Sequence, residues 1–155
     1  MHEPRKGALT RRESARGGRR ETDASVERDS AGADRPIVVV AEDDRAALDG
    51  LSQWLAGEGF TVLSCATFAE ARAQLATRRV AALLTDVRLA EYNGLHLAQL
   101  ARSQHPRAGL VVFSGHSDDL LQAEARALGA IWLLKPLDLD VVREYLTGIL
   151  RKQED

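Results

Sequence analysis

Four short apolar runs in this chain each lead into a group capable of polar chemistry. Ile37-Val38-Val39-Val40-Ala41 leads into Glu42-Asp43-Asp44, and the run from Val80 to Thr85 leads into Asp86. Leu110-Val111-Val112-Phe113 is followed by Ser114, and Ile131-Trp132-Leu133-Leu134 by Lys135-Pro136. Carboxylates gathered at one place repel, and one tends to take up a proton unless a cation intervenes. Donors that are all oxygen suit Mg²⁺ or Mn²⁺. His96, His105 and His116 lack ligand spacing and Cys65 is the lone cysteine, which disfavours zinc. A carboxylate beside such an ion, with a hydroxyl and an ammonium close by, can accept a phosphoryl group: its oxygen attacks phosphorus while positive charge neutralises the equatorial oxygens. Asp86, alone at the end of its run, is the expected nucleophile, and the pair Glu42 and Asp43 the expected metal ligands. Ser114 would donate a hydrogen bond to the phosphoryl group and Lys135 would offset its charge.

That chemistry requires the four run ends to meet. Short continuous apolar runs rich in Val, Ile and Leu are the pattern of strands buried on both faces of a parallel sheet. In such sheets the site lies beyond the carboxyl ends of the strands. The segments between the runs read as helices. Leu48, Leu51, Trp54 and Leu55 share one face of a helix ended by Gly57 or Gly59, and Trp54 is expected in the core. A strand from Phe60 to Cys65 follows, and Thr67-Phe68-Ala69-Glu70 matches a capping box at the start of the next helix. After Asp86 a loop through Asn93-Gly94 leads into a helix from about Leu95 to Ser103. Ser117 or Asp118 can cap a helix closed by Gly129. Asp138 can cap a last one along which Val141, Val142, Tyr145, Leu146, Ile149 and Leu150 recur at helical spacing. The alternation predicts an α/β fold, a doubly wound five-stranded parallel sheet. The second strand alone ends in no reactive group. An order 2-1-3-4-5 puts it at the edge and makes the other four neighbours.

Composition sets bounds on the rest. The 155 residues suffice for one domain with a full core, and a net charge of −2 argues against a protein that coats nucleic acid. No apolar stretch approaches the roughly 20 residues needed to cross a bilayer, and the beginning of the chain lacks the apolar core of a signal peptide. A single cysteine fits a reducing compartment, so a cytoplasmic location is expected. Residues 1–34 hold almost no large apolar side chain and are expected to be a disordered charged tail, basic from Arg5 to Arg20 and mainly acidic from Glu21 to Asp34. The folded domain is expected over 35–155. Lysine occurs only at 6, 135 and 152 in a chain that uses arginine freely. Position 135 therefore reads as one that needs a compact point charge rather than a planar fork.

At these residues the chain resembles the response-regulator receiver domain of bacterial two-component signalling, a flavodoxin-like fold. The matching text is Val39-Val40-Ala41-Glu42-Asp43-Asp44, Asp86-Val87-Arg88-Leu89 with Asn93-Gly94-Leu95, Phe113-Ser114-Gly115-His116, and Lys135-Pro136. The likeness covers about 35 to 152. The resemblance implies that Asp86 is the phosphoacceptor, that Glu42, Asp43, Asp86 and the backbone carbonyl of Arg88 hold Mg²⁺, and that Ser114 is the switch hydroxyl. It further implies that Lys135 pairs with the phosphate, that Lys135-Pro136 is a cis peptide, and that Trp132 occupies the place of the switch aromatic. Three departures stand out. Ala90 replaces the usual proline, the stretch from Gly129-Ala130 to Lys135 is one residue short, and Trp132 is larger than the usual Tyr or Phe.

The expected function is that of a receiver in a phosphorelay, not an enzyme beyond self-catalysed phosphorylation and dephosphorylation. A histidine kinase, phosphotransfer protein or small phosphodonor would modify Asp86. The face of the last two strands and helices would then change its affinity for a protein effector or for a second copy, without direct DNA or membrane contact. One helix after Lys135 leaves no room for an output domain, so the chain reads as a stand-alone receiver or a fragment of a larger regulator. The alternative is a degenerate receiver that signals without phosphate, although no member of the site is missing. A haloacid-dehalogenase-like enzyme would carry Asp-x-Asp where this chain has Glu42-Asp43-Asp44, and a flavodoxin-like cofactor binder would not place three acids there. Asp44 reads as a helix cap, Cys65 as a buried apolar residue, His116 as an exposed loop residue, and Arg88 as a side chain that overhangs the site.

Overall fold

The computed structural model describes residues 35–155, so the expected tail at 1–34 lies outside the described residues. Strands β1 (Ile37–Ala41), β2 (Thr61–Cys65), β3 (Ala82–Asp86), β4 (Gly109–Ser114) and β5 (Ile131–Leu134) form one parallel sheet in the order β2-β1-β3-β4-β5. Helices α1 (Arg45–Gly57), α2 (Phe68–Thr77), α3 (Gly94–Gln104), α4 (Asp119–Ala127) and α5 (Leu139–Glu154) alternate with them. The expected 2-1-3-4-5 topology is the observed one. Every residue of β3 and β4 is buried, whereas the edge strands β2 and β5 are mostly half-exposed.

Side chains of a strand alternate between the two faces of a sheet, and here each face has its own core. Val39, Ala41, Leu83, Leu110 and Val112 face Ala71 and Leu75 of α2, Leu97 and Ala101 of α3, and Ala125 of α4. Val38, Val40, Leu84, Val111 and Phe113 face Leu48 and Leu55 of α1 and Val142 and Leu146 of α5. Continuous apolar runs are needed in the central strands because both registers of the pleat are buried.

The helix ends follow the sequence signals closely. Asp44, Thr67, Asn93, Asp118 and Asp138 all act as N-caps, their side chains accepting amide hydrogens of the first turn. At Thr67 the expected capping box is only half made. Its hydroxyl accepts the Glu70 amide but donates to the Glu70 carboxylate, which is not engaged with the Thr67 amide. Helices α1 and α4 end in Schellman motifs. Phe60 N–H returns to Leu55 and Ala130 N–H to Ala125, with Gly59 (φ 99°) and Gly129 (φ 77°) in the left-handed position that glycine tolerates. The C-terminal ends of α3 and α4 are tied through Arg102, whose guanidinium donates to the carbonyls of Leu128, Pro106 and Ala108 at 2.9, 2.7 and 2.9 Å.

Two local expectations need correction. Trp54 packs against the core between α1 and α5 but is only half-buried, with the Arg143 guanidinium over its ring at 5.4 Å. The segment after Asp86 is not a plain loop: Arg88–Leu89 pairs antiparallel with Tyr92–Asn93 across a two-residue turn at Ala90-Glu91. Leu89 is buried and Tyr92 stacks on Phe68 of α2 at 4.9 Å, which fixes this small hairpin to the domain.

Gly94 allows α3 to start where it does. A Cβ there would lie 1.9 Å from the carbonyl oxygen of Asp86, and the Gly94 amide donates to the Val87 carbonyl at 2.7 Å. Gly50, inside α1, has open space around the same position. Gly94→Ala is therefore expected to destabilise the domain by about 3 kcal/mol through forced displacement. Gly50→Ala should instead stabilise it by about 0.5–1 kcal/mol through helix propensity. Urea denaturation of the two variants checks this, and equal midpoints would sink the account of Gly94.

Candidate functional site

Parallel pairing lines up the strand ends. Ala41 sits opposite Thr85 and Asp86 opposite Phe113, so Glu42 and Asp43 emerge beside Asp86, with Ser114 one residue beyond on the other side. The Lys135 amide continues the ladder to the Ser114 carbonyl at 2.8 Å and brings its side chain back over the same edge. Carboxylate oxygens of Glu42, Asp43 and Asp86 all lie within 4.8 Å of one another. The Lys135 ammonium donates to Glu42 Oε2 at 3.0 Å and Asp86 Oδ2 at 2.5 Å, and sits 5.5 Å from the centre of the Phe113 ring.

Burial differs among the acids. Glu42 is 2% exposed and Asp86 6%, while Asp43 is exposed. Burial pushes the Glu42 carboxyl above its ordinary value of 4.5. The Asp44 amide and Lys135 pull it back, and Asp86 pushes it further up. Burial alone would lower the Lys135 ammonium, but its hydrogen bonds to Asp86 and Glu42, and their charges, outweigh that and raise it above 10.5.

The fit to a divalent cation follows from charge and donor type. Three carboxylates face one ammonium, which leaves two negative charges on hard oxygen donors in a partly buried pocket. Glu42, Asp43 and Asp86 are the residues that would hold Mg²⁺ or Mn²⁺. The histidines named above lie elsewhere: His105 Nε2 is 2.8 Å from the Leu75 carbonyl between α2 and α3, and His116 is exposed, as expected.

The remaining expected residues fall around this centre. Ser114 is buried, and its hydroxyl oxygen accepts the His116 amide at 3.1 Å, which leaves its own proton free to donate. The Lys135–Pro136 bond is cis. Trp132 is half-buried and packs against the core face shared by α2, α3 and α4. Asp44 caps α1, and its amide donates to Glu42 Oε1 at 3.0 Å. Cys65 is buried, and burial raises its thiol to about 11, with the Glu70 charge adding to the effect, so it stays protonated at neutral pH.

Sequence reasoning missed the part played by backbone amides. Arg88 N–H donates to Asp86 Oδ1 at 2.8 Å, and Ala90 N–H donates to Asp43 Oδ2 at 3.1 Å. Both oxygens of Asp86 are thus engaged, one by an amide and one by an ammonium. Residue type carries no sign of such contacts. The only available hint is the eight-residue spacing from Asp86 to Gly94, which demands a tight reversal.

The family model for the response regulator receiver domain matches residues 38–147. The chain is 34% identical over 107 residues to the DNA-binding transcriptional regulator NtrC of Escherichia coli, covering 68% of this chain and 23% of that protein. It therefore spans about a quarter of that relative. A receiver domain structure from Methanospirillum hungatei superimposes with a TM-score of 0.70 at 24% identity, covering 76% of this chain and 98% of the other. A response regulator from Burkholderia pseudomallei, crystallised with a phosphorylated aspartic acid and a calcium ion, gives 0.67 at 21% identity, covering 77% and 71%.

Two outcomes are expected from the electrostatics. In chelator, Asp43→Asn should be more stable than wild type by about 1 kcal/mol, since it removes one of three crowded charges; saturating Mg²⁺ should reverse the order. Thermal unfolding with and without Mg²⁺ tests this, and an unchanged order would contradict it. Glu42 binds its proton more tightly in the folded than in the unfolded state. Metal-free wild type should thus lose stability, relative to Glu42→Gln, as the pH rises from 4.5 through the higher folded value. Parallel stability curves for the two proteins would rule that out.

Proposed function

Because the chain belongs to the response regulator receiver family, we propose that it is a phosphoryl-accepting switch in which Asp86 takes a phosphoryl group from a histidine kinase, a phosphotransfer protein or a small phosphodonor. The observation that carries this reading is the state of Asp86: a buried carboxylate between two other acids, with one oxygen on an ammonium and the other on an amide. Asp86 Oδ2, given up by Lys135, attacks phosphorus, an oxygen–phosphorus bond forms, and the bond from phosphorus to the donor nitrogen or oxygen breaks. Lys135 leaves Asp86 for a phosphoryl oxygen, a short move because Glu42 already holds the other side of its ammonium. Ser114 donates its free proton to a second oxygen. A divalent cation bound by Glu42, Asp43, Asp86 and the Arg88 carbonyl would neutralise charge on the phosphoryl group.

On this reading the protein is a phosphoacceptor and not an enzyme beyond its own phosphorylation and dephosphorylation, and it acts in the cytoplasm. Among the described residues no helix is long and apolar enough to cross a membrane. The output passes through protein contacts of α4, β5 and α5, with an effector or a second copy. Leu120 (75% exposed), Leu134 (49%) and Val141 (39%) place apolar side chains on that face. Trp132, beneath it on β5, is the aromatic whose packing would respond to Ser114.

Incubation with acetyl phosphate and Mg²⁺, followed by intact mass measurement, should give one phosphoryl adduct in wild type and none in Asp86→Asn. No adduct from acetyl phosphate or a purified kinase would favour a module that signals without phosphate. The exposed Arg88 side chain borders the acceptor. Arg88→Ala is expected to change the phosphoryl half-life severalfold, and equal half-lives would remove Arg88 from the account.

A further inference from the structure

The hairpin after β3 carries a feature that its residue types do not call for. Ala90 has φ 55°, the one non-glycine residue with a positive φ among the described residues. It occupies the first position of a two-residue turn, where a positive φ confined to that position favours glycine. An alanine held there is strained, and strain of this kind persists only where surrounding contacts over-determine it. Three such contacts are present. The Ala90 amide donates to Asp43 Oδ2 at 3.1 Å, the Arg88 amide to Asp86 Oδ1 at 2.8 Å, and the Tyr92 ring stacks on Phe68 at 4.9 Å with an interplanar angle of 20°. The hairpin thus reaches across from the acceptor strand and grips a carboxylate on β1's loop, 47 residues away in sequence.

We propose that Ala90 is a positioning residue for the cation site: its amide, aimed by the left-handed turn, orients the Asp43 carboxylate, so that cation binding and closure of the hairpin support each other. The inference rests on the reading of Asp43 as a metal ligand. Asp43 is the exposed member of the acidic group, and among the described residues the Ala90 amide is the donor that holds it. Glu42 and Asp86 are held instead by burial, Lys135 and their own neighbouring amides. Without Ala90 N–H, the Asp43 side chain would have to be ordered by the incoming ion at an entropic cost. Proline at this position, usual in the family, has no amide hydrogen and a φ near −65°, so it could supply neither the bond nor the turn seen here. Linkage makes the coupling reciprocal: if the closed hairpin favours the cation, the cation must favour the closed hairpin to the same degree.

The test uses the full chain and Mg²⁺ alone. Calorimetric titration should show Ala90→Gly, which keeps the amide and accepts the φ, binding within about twofold of wild type. Ala90→Pro should bind about tenfold more weakly, the scale of one hydrogen bond to a charged group. In wild type, hydrogen exchange of the Ala90 amide followed by NMR should slow by about the same factor when Mg²⁺ is saturating, a readout that needs no variant and no phosphoryl transfer. Wild-type affinity in folded Ala90→Pro, or an Ala90 exchange rate indifferent to Mg²⁺, overturns the positioning role. Failure of the underlying reading looks different: Asp43→Asn would then bind Mg²⁺ as tightly as wild type, and the proposal would fall with it.

Discussion

The crowding of like charge at one edge of the sheet is the constraint on which the rest of this domain depends. Three carboxylates are brought within a few ångströms by the parallel register, and a single lysine opposes them. Such a cluster is costly to the isolated fold, which keeps it through a core built on both faces of the sheet. The fully buried strands β3 and β4 and the two separate apolar layers provide the excess stability that lets the edge remain electrostatically unsatisfied. Function and fold are therefore coupled by opposition. The same register that packs Val, Leu and Phe into the layers delivers acids to a place where a proton or a cation must offset their charge.

Within the cluster the acids differ in kind. Glu42 is buried and held by Lys135 and a local amide, and it behaves as part of the frame. Asp86 is buried with both oxygens engaged, and it can change partners without leaving its place. Asp43 is exposed and held from across the site. A cation taken up here would meet Asp43 before the two buried acids.

Much of this was legible in the residues because the strand ends carry both signals at once. A buried parallel strand must be apolar along its length and must end abruptly, so the site residues stand out at Glu42, Asp86, Ser114 and Lys135. The same abruptness separated the central strands from β2 and gave the strand order. The N-caps at Asp44, Asp118 and Asp138 were readable because short acidic side chains before an apolar period have few other roles. What was hidden lies in the backbone. The hairpin at Arg88 to Asn93 has neither Asn-Gly nor Gly at its turn, so nothing marked it, and a left-handed alanine contradicts local preference. Trp54 was placed too deep because apolar periodicity marks which side of a helix meets the core but not how completely each ring on that side is covered.

The three carbonyls bound by Arg102 have a mechanical meaning for α4. They anchor its C-terminal end to α3 and to the chain entering β4, while its N-terminal end rests on the Asp118 cap and on Leu121, which packs against the core. The polar restraint on the helix is therefore concentrated at Leu128, and its first turn keeps Leu120 exposed. The segment Gly115 to Ser117 links that first turn directly to Ser114. A shift of the Ser114 hydroxyl would thus reach α4 at the end that the guanidinium does not hold.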